Sequence, residues 1–184
     1  KRMPAPRYIL LDRDGTLIVE RHYLSNPDDV ELTHGAGEGL RLLRDAGCRF
    51  ILITNQSGVG RGMFSKEDVD RVHVRLAELL EAEGVLLDGI FYCPHAPEAE
   101  CDCRKPKTGL VRQAEETLGI KLDGPNVVMI GDKPADVELG RAIGARTILV
   151  RSGYGAKAEQ KGECTPETIV DDLVDTARTL LGNS

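Results

Sequence analysis

No stretch of apolar residues in this 184-residue sequence approaches the length that crosses a bilayer, so no membrane partner is expected. Positive charge is also in short supply: 24 Lys and Arg face 30 Asp and Glu, a net charge of −6. That balance argues against non-specific binding of nucleic acid, although it leaves room for a local basic pocket around a small anion. Internal repeats, low-complexity tracts and linkers are missing. The opening Lys1-Arg2-Met3-Pro4-Ala5-Pro6-Arg7 leads into only a short apolar run, unlike a secretory signal. Cysteines number five, an odd count that does not suit a disulfide framework. The expected setting is therefore a reducing cytoplasm. Charged residues at 29% and hydrophobic ones at 41% are those of a globular protein. A single domain over 1–184, a length that suits one core, is expected to act as a monomer.

Five short apolar runs read as strands: Tyr8–Leu11, Phe50–Thr54, Gly89–Tyr92, Val127–Ile130 and Thr147–Val150. Most lack polar alternation, as strands buried on both faces of a parallel sheet do. Between them lie helical patterns. Ala36–Ala46 ends at Gly47, and a second helix is capped by Ser65, buries Val69, Val72, Leu76, Leu79 and Leu80, and stops at Gly84. Further helices are expected over Thr108–Leu118, Ala135–Ile143 and Thr168–Leu181. The alternation predicts a three-layer α/β/α, Rossmann-like fold with a mainly parallel sheet. Two loops, Val19–His34 and Cys93–Lys107, are longer than such crossovers require, which marks them as functional. Neither can form a large cap domain, so the site should be open.

Polar residues gather where the strands end. Asp12 and Asp14 follow the first strand in Asp12-Arg13-Asp14-Gly15-Thr16, spaced to point the same way while the chain is extended. Thr54-Asn55-Gln56-Ser57 follow the second, Arg104-Lys105 close the loop after the third, and Gly131-Asp132-Lys133 with Asp136 follow the fourth. Open α/β sheets bind ligands at this edge. The set suits phosphoryl transfer through an aspartate. Asp12 would attack phosphorus, and Asp14 would protonate the leaving oxygen and then activate water. Thr54 and Lys105 would hold the non-bridging oxygens. Mg²⁺ would be bound by Asp12, Asp132 and the backbone carbonyl of Asp14, with Asp136 supporting its water shell. A phosphate dianion meeting Asp12 faces a repulsion of roughly 4 kcal/mol or more at about 4 Å and an effective dielectric near 20. The cations must offset it.

A second constellation is Cys93-Pro94-His95 followed by Cys101-Asp102-Cys103. Three thiolates and one imidazole make a closed tetrahedral Zn²⁺ set, hence a structural rather than catalytic metal. Such a zinc loop, 93–103, would fix the backbone directly before Arg104 and Lys105.

These motifs, in this order from Asp12 to Asp136, resemble the four motifs of the haloacid dehalogenase (HAD) superfamily of phosphatases. With the zinc loop, the chain is similar to its small capless branch, which includes heptose-bisphosphate phosphatases and histidinol-phosphate phosphatases. Thr54 to Phe64, with Ser57-Gly58-Val59-Gly60-Arg61-Gly62, and Tyr23 in the first long loop look more like the heptose enzymes. The resemblance implies a Mg²⁺-dependent hydrolase acting on a small phosphorylated sugar in nucleotide-activated heptose synthesis, feeding lipopolysaccharide or other surface glycans. It also implies substrate contacts from Glu20, Arg21, His22, Tyr23, Asn55, Gln56, Ser57, Arg104 and Lys133. Histidinol phosphate is the rival substrate. A zinc-stabilised receiver with a phosphorylatable aspartate is the non-enzymatic alternative, one with no use for a proton donor at Asp14. Arg13 is expected to be structural or on the surface, His34 and His73 to have no catalytic role, and Cys48 and Cys164 to be ordinary thiols.

Overall fold

The computed structural model describes residues 4–182. The ends of the expected 1–184 domain, and most of the opening basic segment, lie outside the described residues. Six strands form one parallel sheet in the order β3-β2-β1-β4-β5-β6. They are β1 Tyr8–Leu11, β2 Arg49–Asn55, β3 Gly89–Cys93, β4 Val127–Gly131, β5 Arg146–Val150 and β6 Thr168–Val170. The five expected strands are present, longer by a residue at one or both ends in four cases. Helices α1 Ala36–Asp45, α2 Lys66–Ala82, α3 Gly109–Leu118, α4 Pro134–Ala142, α5 Gly155–Lys161 and α6 Leu173–Leu181 connect and cover them.

Strand periodicity sorts the core into two layers. Ile9, Leu11, Phe50, Leu52, Val128 and Ile130 face α1, α2 and α6. Tyr8, Leu10, Ile51, Ile53, Val127 and Met129 face the opposite way, onto α3 and α4. Alternate residues of each strand are thus apolar on both sides, which is why these runs show no polar alternation. Leu149 on β5 meets Val137 of α4 and Ala158 of α5, extending the second layer to the sheet edge.

Two elements differ from expectation. The segment expected as one helix, Thr168–Leu181, splits into β6 and α6. Thr168, Ile169 and Val170 are β-branched and pair in register with Ile148, Leu149 and Val150. The helix begins only after Asp172, whose carboxylate accepts the Asp175 N–H at 2.8 Å. Helix α5 has no counterpart among the expected elements; seven residues with three charges and one buried alanine carry almost no periodic signal.

The sheet order reverses between β1 and β4. The chain runs outward through β2 and β3 on one side, then through β4, β5 and β6 on the other. The carboxyl ends of β1 and β4 therefore open onto the crevice where parallel α/β sheets place ligands. Residues between β1 and α1 contain only a short 3-10 turn, Pro27–Asp29, and two isolated bridges that tie Ile18 to Asp14 and Leu32. No cap domain is inserted among the described residues.

Candidate active site

Asp12 leaves β1 and Asp132 leaves β4, adjacent strands with Leu11 opposite Ile130. Asp136 sits in the first turn of α4. Carboxylate oxygens of all three lie within 4.8 Å of one another, and all three residues are buried. Lys105 enters this cluster from the loop after β3. Its ammonium donates to Asp12 Oδ1 at 2.8 Å, Asp136 Oδ1 at 2.6 Å and the Ile53 carbonyl at 2.8 Å. Burial opposes charge on Lys105, but Asp12 and Asp136 outweigh it and hold the ammonium above its ordinary pKa. Burial would likewise raise Asp12; Lys105 and Lys133 overcome it and keep that carboxyl below the usual carboxylate range. Asp132 fares differently. Burial, with Asp12 and Asp136 beside it, pushes its pKa up to about 9. It receives one backbone N–H, from Tyr154 at 2.9 Å, and the Thr16 hydroxyl at 3.4 Å. Asp136 is raised to about 6, by burial and Asp12 against the pull of Lys105. Three buried carboxylates around one ammonium are short of positive charge, and hard oxygen donors in that state suit Mg²⁺.

Backbone packing is tight around the cluster. Gly15 has φ +81°, and a Cβ there would meet Asp132 Oδ2 at 2.2 Å. A Cβ on Gly131 would meet Asp136 Oδ2 at 2.1 Å. Glycine at both positions lets the chain come close enough to crowd the acids.

The carboxylate of Asp14 stands outside this cluster. Arg13 Nε and Nη2 donate to its two oxygens at 3.0 and 3.1 Å, and Gln56 Nε2 adds a third bond at 3.0 Å. The same Gln56 amide donates to Thr54 Oγ1 at 2.9 Å, so Thr54, Gln56 and Asp14 form one chain of contacts. Arg13 was expected to be structural or on the surface; it is 1% exposed. Its remaining nitrogen, Nη1, lies 3.1 Å from His73 Nε2 on α2. Burial and the neighbouring guanidinium drive the His73 pKa down to about 3, so the ring is neutral and accepts from Arg13.

Above these groups lies a cavity of about 290 Å³. Glu20, His22, Tyr23, Asn55, Gln56, Ser57, Arg104 and Lys133 all line it, together with Asp14 and Lys105. Arg21 does not; it points outward and pairs with Glu31 at 2.6 Å. Asp12 and Thr54 lie beneath the cavity, 5% and 1% exposed. Arg104, in the wall of the cavity, carries a buried Nη1 with no hydrogen-bond partner among the described residues. Asn55 also braces Lys105: its Oδ1 accepts the Lys105 N–H at 2.9 Å and its Nδ2 donates to the Lys105 carbonyl at 3.3 Å. Arg61 and Tyr154 complete the rim. Tyr154 was missed in the sequence because it lies in the turn before the unrecognised α5, with no motif around it.

Beside the cavity, the Cys93, His95, Cys101 and Cys103 donor atoms fall within 4.8 Å of one another. Cys93 Sγ is 3.0 Å from Cys103 Sγ and 3.5 Å from Cys101 Sγ, and His95 Nδ1 is 3.3 Å from Cys103 Sγ. Zn–S bonds of about 2.3 Å imply sulfur separations of roughly 3.7 Å in a tetrahedron, so the four donors fit one such ion with slight expansion. Burial would raise the Cys101 thiol, but the N–H groups of Arg104 and Cys103 prevail and bring it down to about 6, while burial pushes the Cys93 and Cys103 thiols up.

Comparison with known proteins agrees with this geometry. Residues 102–176 match the HAD-hydrolase-like family model. The D-glycero-beta-D-manno-heptose-1,7-bisphosphate 7-phosphatase of Haemophilus ducreyi is 40% identical over 175 residues, covering 91% of this chain and 94% of that protein. Its counterpart in Haemophilus influenzae is 39% identical, covering 94% and 95%. Among solved structures, the D,D-heptose 1,7-bisphosphate phosphatase from B. bronchiseptica, complexed with magnesium and phosphate, superposes with a TM-score of 0.87 at 32% identity, covering 97% of this chain and 99% of that one. The Burkholderia thailandensis enzyme gives 0.73 at 28% identity, covering 96% and 99%. With this buried acid cluster, this sheet order and relatives matched over nearly their whole length, the chain belongs to the HAD-like hydrolases, in the family of the heptose-1,7-bisphosphate 7-phosphatases.

Proposed function

We propose that the chain hydrolyses the C7 phosphate of D-glycero-D-manno-heptose 1,7-bisphosphate, in the synthesis of nucleotide-activated heptose. The observation that carries this reading is the pairing of a buried Asp12–Lys105 centre with a second, unpartnered cation, Arg104, in the wall of the same cavity. One centre suits the reacting phosphate. The other suits a distal phosphate, which a guanidinium can bind through two hydrogen bonds.

Asp12 Oδ attacks phosphorus, forming a carboxyl–phosphate bond as the bond from phosphorus to the sugar oxygen breaks. Asp14 delivers a proton to that departing oxygen. In the second step Asp14 takes a proton from water, the water oxygen attacks phosphorus, and Asp12 is released with inorganic phosphate. Lys105 and the Thr54 hydroxyl steady the non-bridging oxygens throughout. Asp12, Asp132 and the Asp14 carbonyl would hold Mg²⁺, with Asp136 supporting its water shell; the ion would supply positive charge to offset the repulsion met by the incoming phosphate. Cys93, His95, Cys101 and Cys103 would hold a structural Zn²⁺, which would fix the loop carrying Arg104 and Lys105.

Steady-state kcat/KM for both anomers of the bisphosphate, compared with histidinol phosphate, tests the substrate. A higher value for histidinol phosphate would reject it. Arg104→Ala should lower kcat/KM for the bisphosphate at least tenfold more than for heptose 7-phosphate; equal losses would show that Arg104 does not read the distal group. Asp14→Asn should abolish turnover in a hydrolase, whereas a phospho-receiver would still accumulate aspartyl-phosphate.

A further inference from the structure

Tyr154 is the one large aromatic side chain that reaches the cavity from the β5 side of the sheet. Its position is set by its neighbours. A Cβ on Gly153 would meet Asp132 Oδ2 at 2.3 Å and the Gly15 Cα at 2.6 Å, and one on Gly155 would meet the Val150 carbonyl oxygen at 1.6 Å. The Ser152 hydroxyl donates to the Gly15 carbonyl at 2.8 Å, and the Tyr154 N–H donates to Asp132. The turn carrying Tyr154 is thus pressed against the acid cluster and cannot shift without disturbing it.

From this platform the side chain crosses the cavity mouth. Its hydroxyl lies 3.1 Å from His22 Nδ1, with the two rings edge to face at 6.2 Å. Lys133 Nζ sits 5.4 Å from the centre of the tyrosine ring, within reach of a cation–π contact. His22 needs such support. It and Tyr23 both have left-handed backbones, φ 55° and 62°, costly for residues other than glycine. Local help comes from Glu20, whose carboxylate accepts the His22 N–H at 2.8 Å. Two residues 132 positions apart therefore meet above the site, one rigidly mounted and one in a strained loop.

We propose that Tyr154 is a positioning residue for substrate: it braces His22 from across the cavity, holds the loop of Glu20 to Tyr23 against the sugar, and thereby favours an extended phosphosugar over a small phosphate ester. The proposal rests on the phosphosugar reading above. The loop lines the cavity, whereas Asp12 and Thr54 lie buried beneath it, so the brace acts on substrate affinity rather than on the chemical step.

Kinetics of Tyr154→Phe, His22→Ala and the double variant, with heptose bisphosphate and with p-nitrophenyl phosphate, test it. Loss of the hydroxyl should raise KM for the bisphosphate five- to tenfold while kcat changes less than twofold. The ratio of kcat/KM for the bisphosphate to that for p-nitrophenyl phosphate should fall at least fivefold. In the His22→Ala background, Tyr154→Phe should add no further loss. Equal losses for both esters, a KM within twofold of wild type, or additive effects in the double variant would overturn the proposal. His22→Ala leaves the β5 turn untouched, so it reports on the brace even if Tyr154→Phe lowers stability. Wild-type protein that hydrolyses p-nitrophenyl phosphate but not the bisphosphate would reject the substrate reading instead. The split is then read on the extended phosphomonoester that the wild type prefers, with the same outcomes deciding.

Discussion

Asp14 is held by a side chain that itself depends on a neutral histidine. Arg13 gives two nitrogens to the Asp14 carboxylate at the cavity and the third to His73, the arginine and the histidine both being buried. Protonating His73 would place two cations side by side there. Its pKa of about 3 in the folded chain lies below the ordinary value of 6.5, so between those values the unfolded chain binds one more proton. Stability is therefore complete above about pH 6.5 and falls as pH drops through 3, by up to about 5 kcal/mol for a shift of this size. His73→Gln keeps an acceptor for Arg13 and removes the titration. Denaturant midpoints of this variant measured from pH 7 to 4 should decline less steeply than those of wild type; parallel curves would rule out His73 as the source. At this scale the motifs were readable, because Asp12, Asp14, Thr54, Lys105 and Asp132 occupy fixed offsets from apolar strands. The fate of Arg13 and His73 was not. A histidine 60 positions away leaves no local sign that it will meet a given arginine.

The loop after β3 carries part of the site, whereas the strand–helix pair that closes the chain lies apart from it. In the loop, Asn55 ties the end of β2 to the Lys105 backbone, while the Cys and His donors gather just upstream. Chelation should take zinc from the protein, release amide-exchange protection over residues 93–107 and lower activity in parallel. Full activity in protein shown to be zinc-free would reject the loop's positioning role. At the other end, α6 starts on the Asp172 cap. Asp172→Ala should cost about 1 kcal/mol in chemical denaturation, with kinetics unchanged because α6 lies on the sheet face, away from the cavity. Strand β6 escaped the sequence because three residues are too few to show a period and the helical pattern behind them is strong. Its β-branched residues form a strand only because β5 leaves an open edge for them.

As a whole the molecule is acidic, yet Arg61, Arg104 and Lys133 ring the mouth above buried Lys105. A dianionic ester is drawn to that ring against the net field of the chain. Attraction of this kind is screened over about 8–10 Å at moderate ionic strength. Raising salt from 0.05 to 0.5 M should lower kcat/KM for the bisphosphate several-fold and leave kcat nearly constant, as steady-state kinetics with an inert salt can show. An unchanged kcat/KM would mean that the ring does not guide substrate. No helix of the described residues is long and apolar enough to cross a membrane.

From the sequence alone came the parallel α/β plan, the acids and hydroxyl at the strand ends, and the four donors of the loop. Each depends on residues close together in the chain, where periodicity and spacing are set by backbone geometry. Tertiary structure decided the rest: that Asp136 shares Lys105 with Asp12, that Arg21 turns away while Tyr154 reaches in, and that His22 is met from across the mouth. The contacts across the site arise where β1, β4 and β5 lie side by side and crowd their ends, with the loop after β3, into one crevice. Which side chains satisfy charge and hydrogen bonds there is settled by the packing of the sheet edge, a property that no single segment contains.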